Sequence, residues 1–139
     1  MGAPFQITKR VEFRETDAAG IAHFTAFFGY MEEAEHAMLR QLGIKVMTAD
    51  PNGTISWPRV SAHCDFRAPI RFDEELDVLV CVEELGEKSV KYGIRFLHGE
   101  TLIAEGYTVA ACCRVASNEK PKSISIPIEM AEKLATMIP

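Results

Sequence analysis

No stretch of this chain approaches the roughly 20 consecutive apolar residues of a membrane-spanning helix. Its opening, MGAPFQITK, has no apolar core of the signal-peptide kind, so the chain reads as cytoplasmic. Met1-Gly2 is not followed by the Ser or Thr that N-myristoylation needs, because position 6 is Gln6. Positive charge is also short: 15 Lys and Arg stand against 20 Asp and Glu, and a net charge of −5 repels nucleic acid and anionic lipid from the surface as a whole. Cysteine is sparse and has no C-x-x-C spacing. Cys64, Cys81, Cys112 and Cys113 fall inside apolar, strand-like runs, where reduced and buried thiols are expected and burial disarms a nucleophile. Cys112 and Cys113, adjacent on a strand, point to opposite faces and do not make a pair of metal ligands. The four histidines are scattered without ligand spacing, so no metal is expected. The absence of G-x-G-x-x-G, a P-loop, G-x-S-x-G and H-E-x-x-H removes several further enzyme classes.

What is present belongs to an ordinary globular protein. With 139 residues, 47% hydrophobic and 25% charged, the chain suits one domain over residues 1–139, large enough to bury about 68–70% of its unfolded surface. Residues 5–15, FQITKRVEFRE, alternate with Phe5, Ile7, Val11 and Phe13 on one face, the period of a half-buried strand, with Lys9 as the mismatch. From residue 24 the period becomes helical. Phe24, Phe27, Phe28, Met31, Ala34, Met38, Leu39 and Leu42 form one stripe, and Gly43 follows as a C-terminal cap. A turn-rich loop, TADPNGTISWP, precedes RVSAHCDFR, where Val60, Ala62, Cys64 and Phe66 alternate with polar residues. LDVLVCVEEL, a Gly86-Glu87 hairpin and KSVKYGIRFL then predict two antiparallel strands. TLIAEGYTVAACCRV is a further strand. IPIEMAEKLATMI predicts a short amphipathic helix with Ile128, Ala131, Leu134, Ala135 and Ile138 on one side. Strand, long helix, four strands and short helix make an α+β pattern with one antiparallel sheet curled around the long helix. Its edges invite a second copy, and a homodimer is the expected remedy.

Chemistry concentrates at RETDAAGIAHF, residues 14–24, where the strand period gives way to the helix period. Asp17 stands beside Gly20 and against a helix N-terminus, whose exposed N–H groups and dipole favour negative charge. Turn chemistry and a working acid are both open there. Glu32, Glu33 and Glu35 form an acidic cluster on the helix, of which one could face inward. Glu32 and His36 are i,i+4 neighbours.

These residues resemble the hotdog-fold thioesterases of the 4-hydroxybenzoyl-coenzyme A thioesterase type. VEFRETDAAGIAHF is similar to the family's opening signature, YMEEAEHAML to its helix, and VSAHCDFRAPIRFDEELDV to its following strand pair, so the likeness covers most of residues 5–115. The resemblance implies a hotdog fold and hydrolysis of an acyl-CoA or acyl-carrier thioester, with no metal and no cofactor, coenzyme A being part of the substrate. It implies that Asp17 attacks the thioester carbonyl or activates water, and that the Phe24 backbone N–H polarises the carbonyl. Gly20 would admit close approach of the substrate, and His23 and Glu32 would serve the pocket. Lys88 and Ser89 match the stretch that meets coenzyme A in the family, whereas Gly86 and Glu87 stand where positive charge is usual, leaving Lys91, Arg67 or Arg71 as other phosphate partners. A homodimer or homotetramer is implied. Because a fold does not fix a function, a non-catalytic acyl-binding or assembly module remains the other reading. A hotdog dehydratase would need an H-x-x-G-x-P-like stretch that this chain lacks.

Overall fold

Along β1 (Phe5–Arg10) Phe5, Ile7 and Lys9 turn inward while Gln6, Thr8 and Arg10 face solvent, as the sequence period requires. The computed structural model describes residues 4–139, so Met1-Gly2 lies outside the described residues. The mismatch is resolved by reach: Lys9 Nζ lies 5.7 Å from the Tyr30 ring centroid and 3.2 Å from Glu33 Oε1, so its stem is covered and its charge emerges beside a carboxylate. The strand is shorter than residues 5–15. After the fully buried Val11 the chain leaves the sheet, and Phe13–Glu15 form a 3-10 turn closed by a capping box between Glu12 and Glu15. Phe13 is therefore 77% exposed rather than interior, and it meets Phe72 edge-on.

The helix α1 spans Phe24–Leu42 and stops at Gly43, whose φ of 76° is the left-handed cap that glycine adopts freely. Phe27, Met31, Ala34, Met38 and Leu39 of the expected stripe are buried, but Phe24 is mostly exposed, and Tyr30 and Glu35 are buried in addition. The loop after α1 contains a hairpin, β2 (Thr48–Asp50) and β3 (Gly53–Ser56). Three- and four-residue strands are too short to show a period. Next come β4 (Arg59–Phe66), β5 (Glu75–Leu85), β6 (Ser89–His98), β7 (Thr101–Ala111), β8 (Cys113–Val115), β9 (Lys122–Ser123) and α2 (Ile128–Ala135).

A five-stranded antiparallel sheet, ordered β1-β5-β6-β7-β4, wraps α1, and β2-β3-β8-β9 form a smaller second sheet. The inner face carries Leu76, Val78, Val80 and Val82 from β5 and Val90, Tyr92, Ile94 and Phe96 from β6, all buried against the helix. This is the α+β, helix-in-sheet architecture that the pattern predicts, but with a second sheet beside the expected one, and the run TLIAEGYTVAACCRV breaks at Cys112 into β7 and β8, one in each sheet. Three further details differ. The expected interior face of β4 is largely outside, with Val60 64% and Phe66 48% exposed, at an edge strand that among the described residues pairs with β7 alone. A register irregularity between Arg59 and Ser61 also shifts its parity, so that Arg59 reaches the helix. In the β5–β6 hairpin, an irregularity between Val82 and Glu84 moves the turn along by one: Gly86 N–H donates to Ser89 O at 2.8 Å, and the two loop residues are Glu87 and Lys88. Finally, α2 is anchored near its C-terminal end, with Leu134 buried and Met137 O accepting from Val82 N–H, which leaves Ile128 74% exposed. Gly106 holds the β4 edge close: a Cβ there would strike the β4 backbone at His63 and Cys64.

Candidate active site

Between Glu15 and His23 the chain makes a tight hairpin. His23 N–H donates to Glu15 O at 2.7 Å, Thr16 bridges Ala22, and Asp17 N–H donates to Ile21 O at 2.9 Å. Gly20 turns the tip with φ +80°, and since no atom lies within 4 Å of its would-be Cβ, backbone conformation alone requires glycine here. Asp17 Oδ1 accepts from Ala19 N–H at 2.8 Å, an Asx turn, so the aspartate does perform turn chemistry. Its second oxygen, Oδ2, has no hydrogen-bond partner among the described residues. Ala22 N–H donates to Ile70 O at 2.8 Å, and Ile21 bridges Arg71, which pins the hairpin to the segment after β4.

His23 is the N-cap of α1. Its Nδ1 accepts from Thr25 N–H at 3.2 Å and lies 2.7 Å from Thr25 Oγ1, so its work is to start the helix. Ala26 N–H is satisfied by His23 O. The Phe24 N–H, in the first helical position, has no intrahelical acceptor by construction and no partner among the described residues. An unbonded main-chain donor and an unbonded carboxylate oxygen thus belong to residues seven positions apart.

Both residues line one cleft of about 520 Å³, whose other walls are Phe27, Phe66, Ile70 and the segment between them. Phe27 is held edge-on by Phe66 and by Phe96, each at 5.2 Å between ring centroids. Arg67 is the one cation among the lining residues; its Nε lies 3.4 Å from Glu105 and its Nη2 3.6 Å from Asp65. Of the wall from Phe66 to Ile70 the sequence singled out only Arg67, as a phosphate partner, although Pro69 marks where the chain must leave the strand.

Other expected site residues lie elsewhere. Glu32 is on the outside of α1, paired with Arg59 Nη2 at 3.2 Å. Lys88 and Ser89 lie at the β5–β6 hairpin, where Lys88 O accepts from Cys112 N–H at 2.7 Å, and neither lines the cleft. The inward member of the acidic cluster is Glu35, 3% exposed, with Arg59 Nη1 at 2.5 Å and the Thr108 hydroxyl at 3.4 Å. A second hollow, of about 510 Å³, lies on the outer face of the sheet between His63, Cys81 and Tyr107. Several polar side chains there meet one another, His63 Nε2 lying 3.1 Å from Asp65 and Arg67 Nε 3.4 Å from Glu105. Burial pushes the Cys64 and Cys112 thiols up to about 11, away from nucleophilic use.

Residues 11–134 match the model of the thioesterase-like superfamily. A protein described as a putative esterase from Aquifex aeolicus (strain VF5) is 30% identical over 131 residues, 94% of this chain and 98% of that protein. A 1,4-dihydroxy-2-naphthoyl-CoA hydrolase of Synechococcus sp. (strain CC9605) is 29% identical over 106 residues, covering 73% of this chain and 71% of the relative. Among solved structures, the dynemicin thioesterase superposes with a TM-score of 0.86 over 97% of both chains at 22% identity, a likeness of fold. With a helix wrapped by an antiparallel sheet and a family match over nearly its whole length, the chain belongs to the thioesterase-like superfamily and has the hotdog fold.

Proposed function

We propose that this enzyme hydrolyses an acyl-coenzyme A thioester to a carboxylic acid and free thiol, with Asp17 as the acid that acts on the carbonyl and the Phe24 N–H as its oxyanion donor. One observation carries the reading: Asp17, with one oxygen unbonded, and Phe24, with its N–H unbonded, line a single apolar cleft. A thioester carbonyl oxygen placed on the Phe24 N–H gains most when it becomes an oxyanion, which is the differential binding that accelerates the step. Asp17 then acts in one of two ways. As base it takes a proton from water while hydroxide adds to the carbonyl carbon, and the thiolate leaves and is protonated. As nucleophile it forms an acyl anhydride, expels the thiolate, and is released by water. Label in the Asp17 carboxylate after single turnover in 18O-water establishes the nucleophilic route with water attacking the Asp17 side of the anhydride, and hydroxylamine trapping of the acyl-enzyme separates the remaining case, in which water attacks the acyl carbon, from the base route. Neither route uses a metal or an organic cofactor.

The relatives' naphthoyl-CoA substrates and the rings of Phe24, Phe27 and Phe66 favour an aromatic acyl group. The test is thiol release from short aliphatic, long aliphatic and aromatic acyl-CoA, and from the same acyl groups on a phosphopantetheinyl carrier protein. Aromatic acyl-CoA is expected to turn over fastest. Saturable binding without thiol release from any of them would instead make the protein an acyl-binding module.

The chain is also proposed to form a homodimer through β4, whose outer edge has no strand partner among the described residues and which exposes Val60. Light scattering should give twice the chain mass for the parent and the mass of one chain for Val60→Lys. A monomeric parent rejects the edge as an interface.

A further inference from the structure

The structure holds the proposed acid and the proposed oxyanion donor on different elements, a hairpin and a helix, so something must set the angle between them. We propose that Glu15 and Tyr30 are positioning residues that lock the outgoing strand of the Asp17 hairpin to α1; this rests on the reading of Asp17 and Phe24 as the two halves of the site.

Besides its N–H bond to Glu12 in the 3-10 turn, Glu15 accepts three bonds at once. Its main-chain oxygen accepts from His23 N–H at 2.7 Å, closing the neck of the hairpin. Its Oε1 accepts from Glu12 N–H at 2.8 Å, which fixes the 3-10 turn, and from the Tyr30 hydroxyl at 2.9 Å. Tyr30 is 1% exposed and stands seven residues into the helix from the His23 cap, about 10 Å along the axis at the α-helical rise. The geometric consequence is direct. The neck bond by itself is a hinge, about which the hairpin can swing relative to the helix. A second bond, two turns farther along the same helix, removes that swing. The returning strand is held separately, by Ala22 N–H on Ile70 O. From Glu12 to Asp17 the outgoing strand, besides the edge-on contact of Phe13 with Phe72, is hydrogen-bonded beyond its own local turn and hairpin only through Glu15 among the described residues.

The Tyr30 ring is itself well seated, against Phe27 at 5.9 Å and Phe96 at 6.5 Å between centroids. Its burial, together with the carboxylate beside it, raises the phenol well above its ordinary pKa, so the hydroxyl stays a donor throughout any practical assay range. A site of this kind needs its groups held to about 0.5 Å and 10–20°, and a misplacement of about 1 Å costs as much as 10²-fold. The lock therefore acts on rate rather than on binding.

Tyr30→Phe removes one hydroxyl and keeps the ring. In the full chain, with the acyl-CoA that the parent turns over fastest, kcat is expected to fall about 10-fold or more, with KM within about two-fold. Amide hydrogen exchange over residues 15–26 should accelerate while the β5 and β6 amides keep their protection. Glu15→Gln keeps an oxygen able to accept both bonds and should retain kcat within about three-fold, whereas Glu15→Ala should match Tyr30→Phe. Parental kcat in Tyr30→Phe, with or without a lowered Tm, overturns the proposal, as does parental exchange over residues 15–26. Asp17→Asn measured in parallel keeps the two ideas apart: an active Asn variant removes the reading of the site, and the exchange result still decides whether the lock exists.

Discussion

Asp17→Asn is expected to lower kcat by about 10³-fold, within the range a positioned acid or base contributes, and to leave the fold standing. The separation is possible because Asp17 does two things with different atoms. Its Oδ1 accepts the Ala19 N–H at 2.8 Å, and an asparagine oxygen does the same, so the hairpin survives the exchange. What asparagine cannot do is attack a carbonyl or take a proton from water. The expected pattern is a purified variant with a Tm close to that of the parent, unchanged affinity for a non-hydrolysable thioester analogue, and almost no thiol release. An Asn variant as active as the parent would sink the assignment. The other half of the site is a main-chain group, which side-chain replacement does not touch, but its place in the helix offers a way in. Phe24 is the first helical residue, where proline is well tolerated, and His23 already has the extended conformation (φ −65°, ψ 144°) that a residue before proline adopts. Phe24→Pro thus deletes the N–H with little disturbance to α1, and should cost about 10²–10³ in kcat, whereas Phe24→Ala, which loses the ring and keeps the donor, should cost far less. Equal losses in the two variants would mean that the ring, and not the N–H, is what catalysis uses.

That the two residues proposed for the site could be singled out before the fold was known, and line one cleft in it, reflects where their geometry is made. Asp17 and Phe24 are brought together by bonds within residues 15–26, and a stretch so local leaves its mark in the sequence as a switch of period around a glycine. The same holds for α1 and for β6, whose inward Val90, Tyr92, Ile94 and Phe96 keep strict alternation over a long window. Features that depend on a partner distant in sequence were not legible. Phe66 and Ile70 form the far wall of the cleft only because the segment after β4 is pinned to the hairpin at Ala22 and Ile21. The register irregularities in β4 and β5 each add one residue that no periodic pattern announces, and one of them turns Arg59 from an expected polar-face residue into the partner of a buried carboxylate. Glu35 was visible as part of an acidic cluster. Which member turned inward depended on where that arginine fell.

Arg59→Met should therefore be among the most damaging substitutions outside the site, destabilising the chain by about 3–5 kcal/mol, out of a total that for a domain is about 5–15 kcal/mol. Methionine keeps much of the arginine stem and removes the charge and the donors to Glu35 and Glu32. Glu35, 3% exposed, is then left with the Thr108 hydroxyl at 3.4 Å and His36 Nε2 at 3.9 Å, too little to replace a guanidinium at 2.5 Å. Glu35→Gln is the unequal partner experiment. It leaves Arg59 charged, but the Arg59 side chain is 29% exposed and still has Glu32 at 3.2 Å, so the loss should be about 1–2 kcal/mol. The double change Glu35→Leu with Arg59→Met removes both charges and should recover most of the stability lost in Arg59→Met, because the cost of that variant lies in the stranded carboxylate and not in the missing attraction. Urea denaturation of the three variants at constant m-value measures this directly. A parental midpoint for Arg59→Met would mean that water reaches Glu35 without help from the arginine. Since Arg59 opens β4 and Phe66 closes it, the same variant should also lose grip on the far wall of the cleft, so that KM for an aromatic acyl-CoA rises even where enough folded protein remains to turn it over.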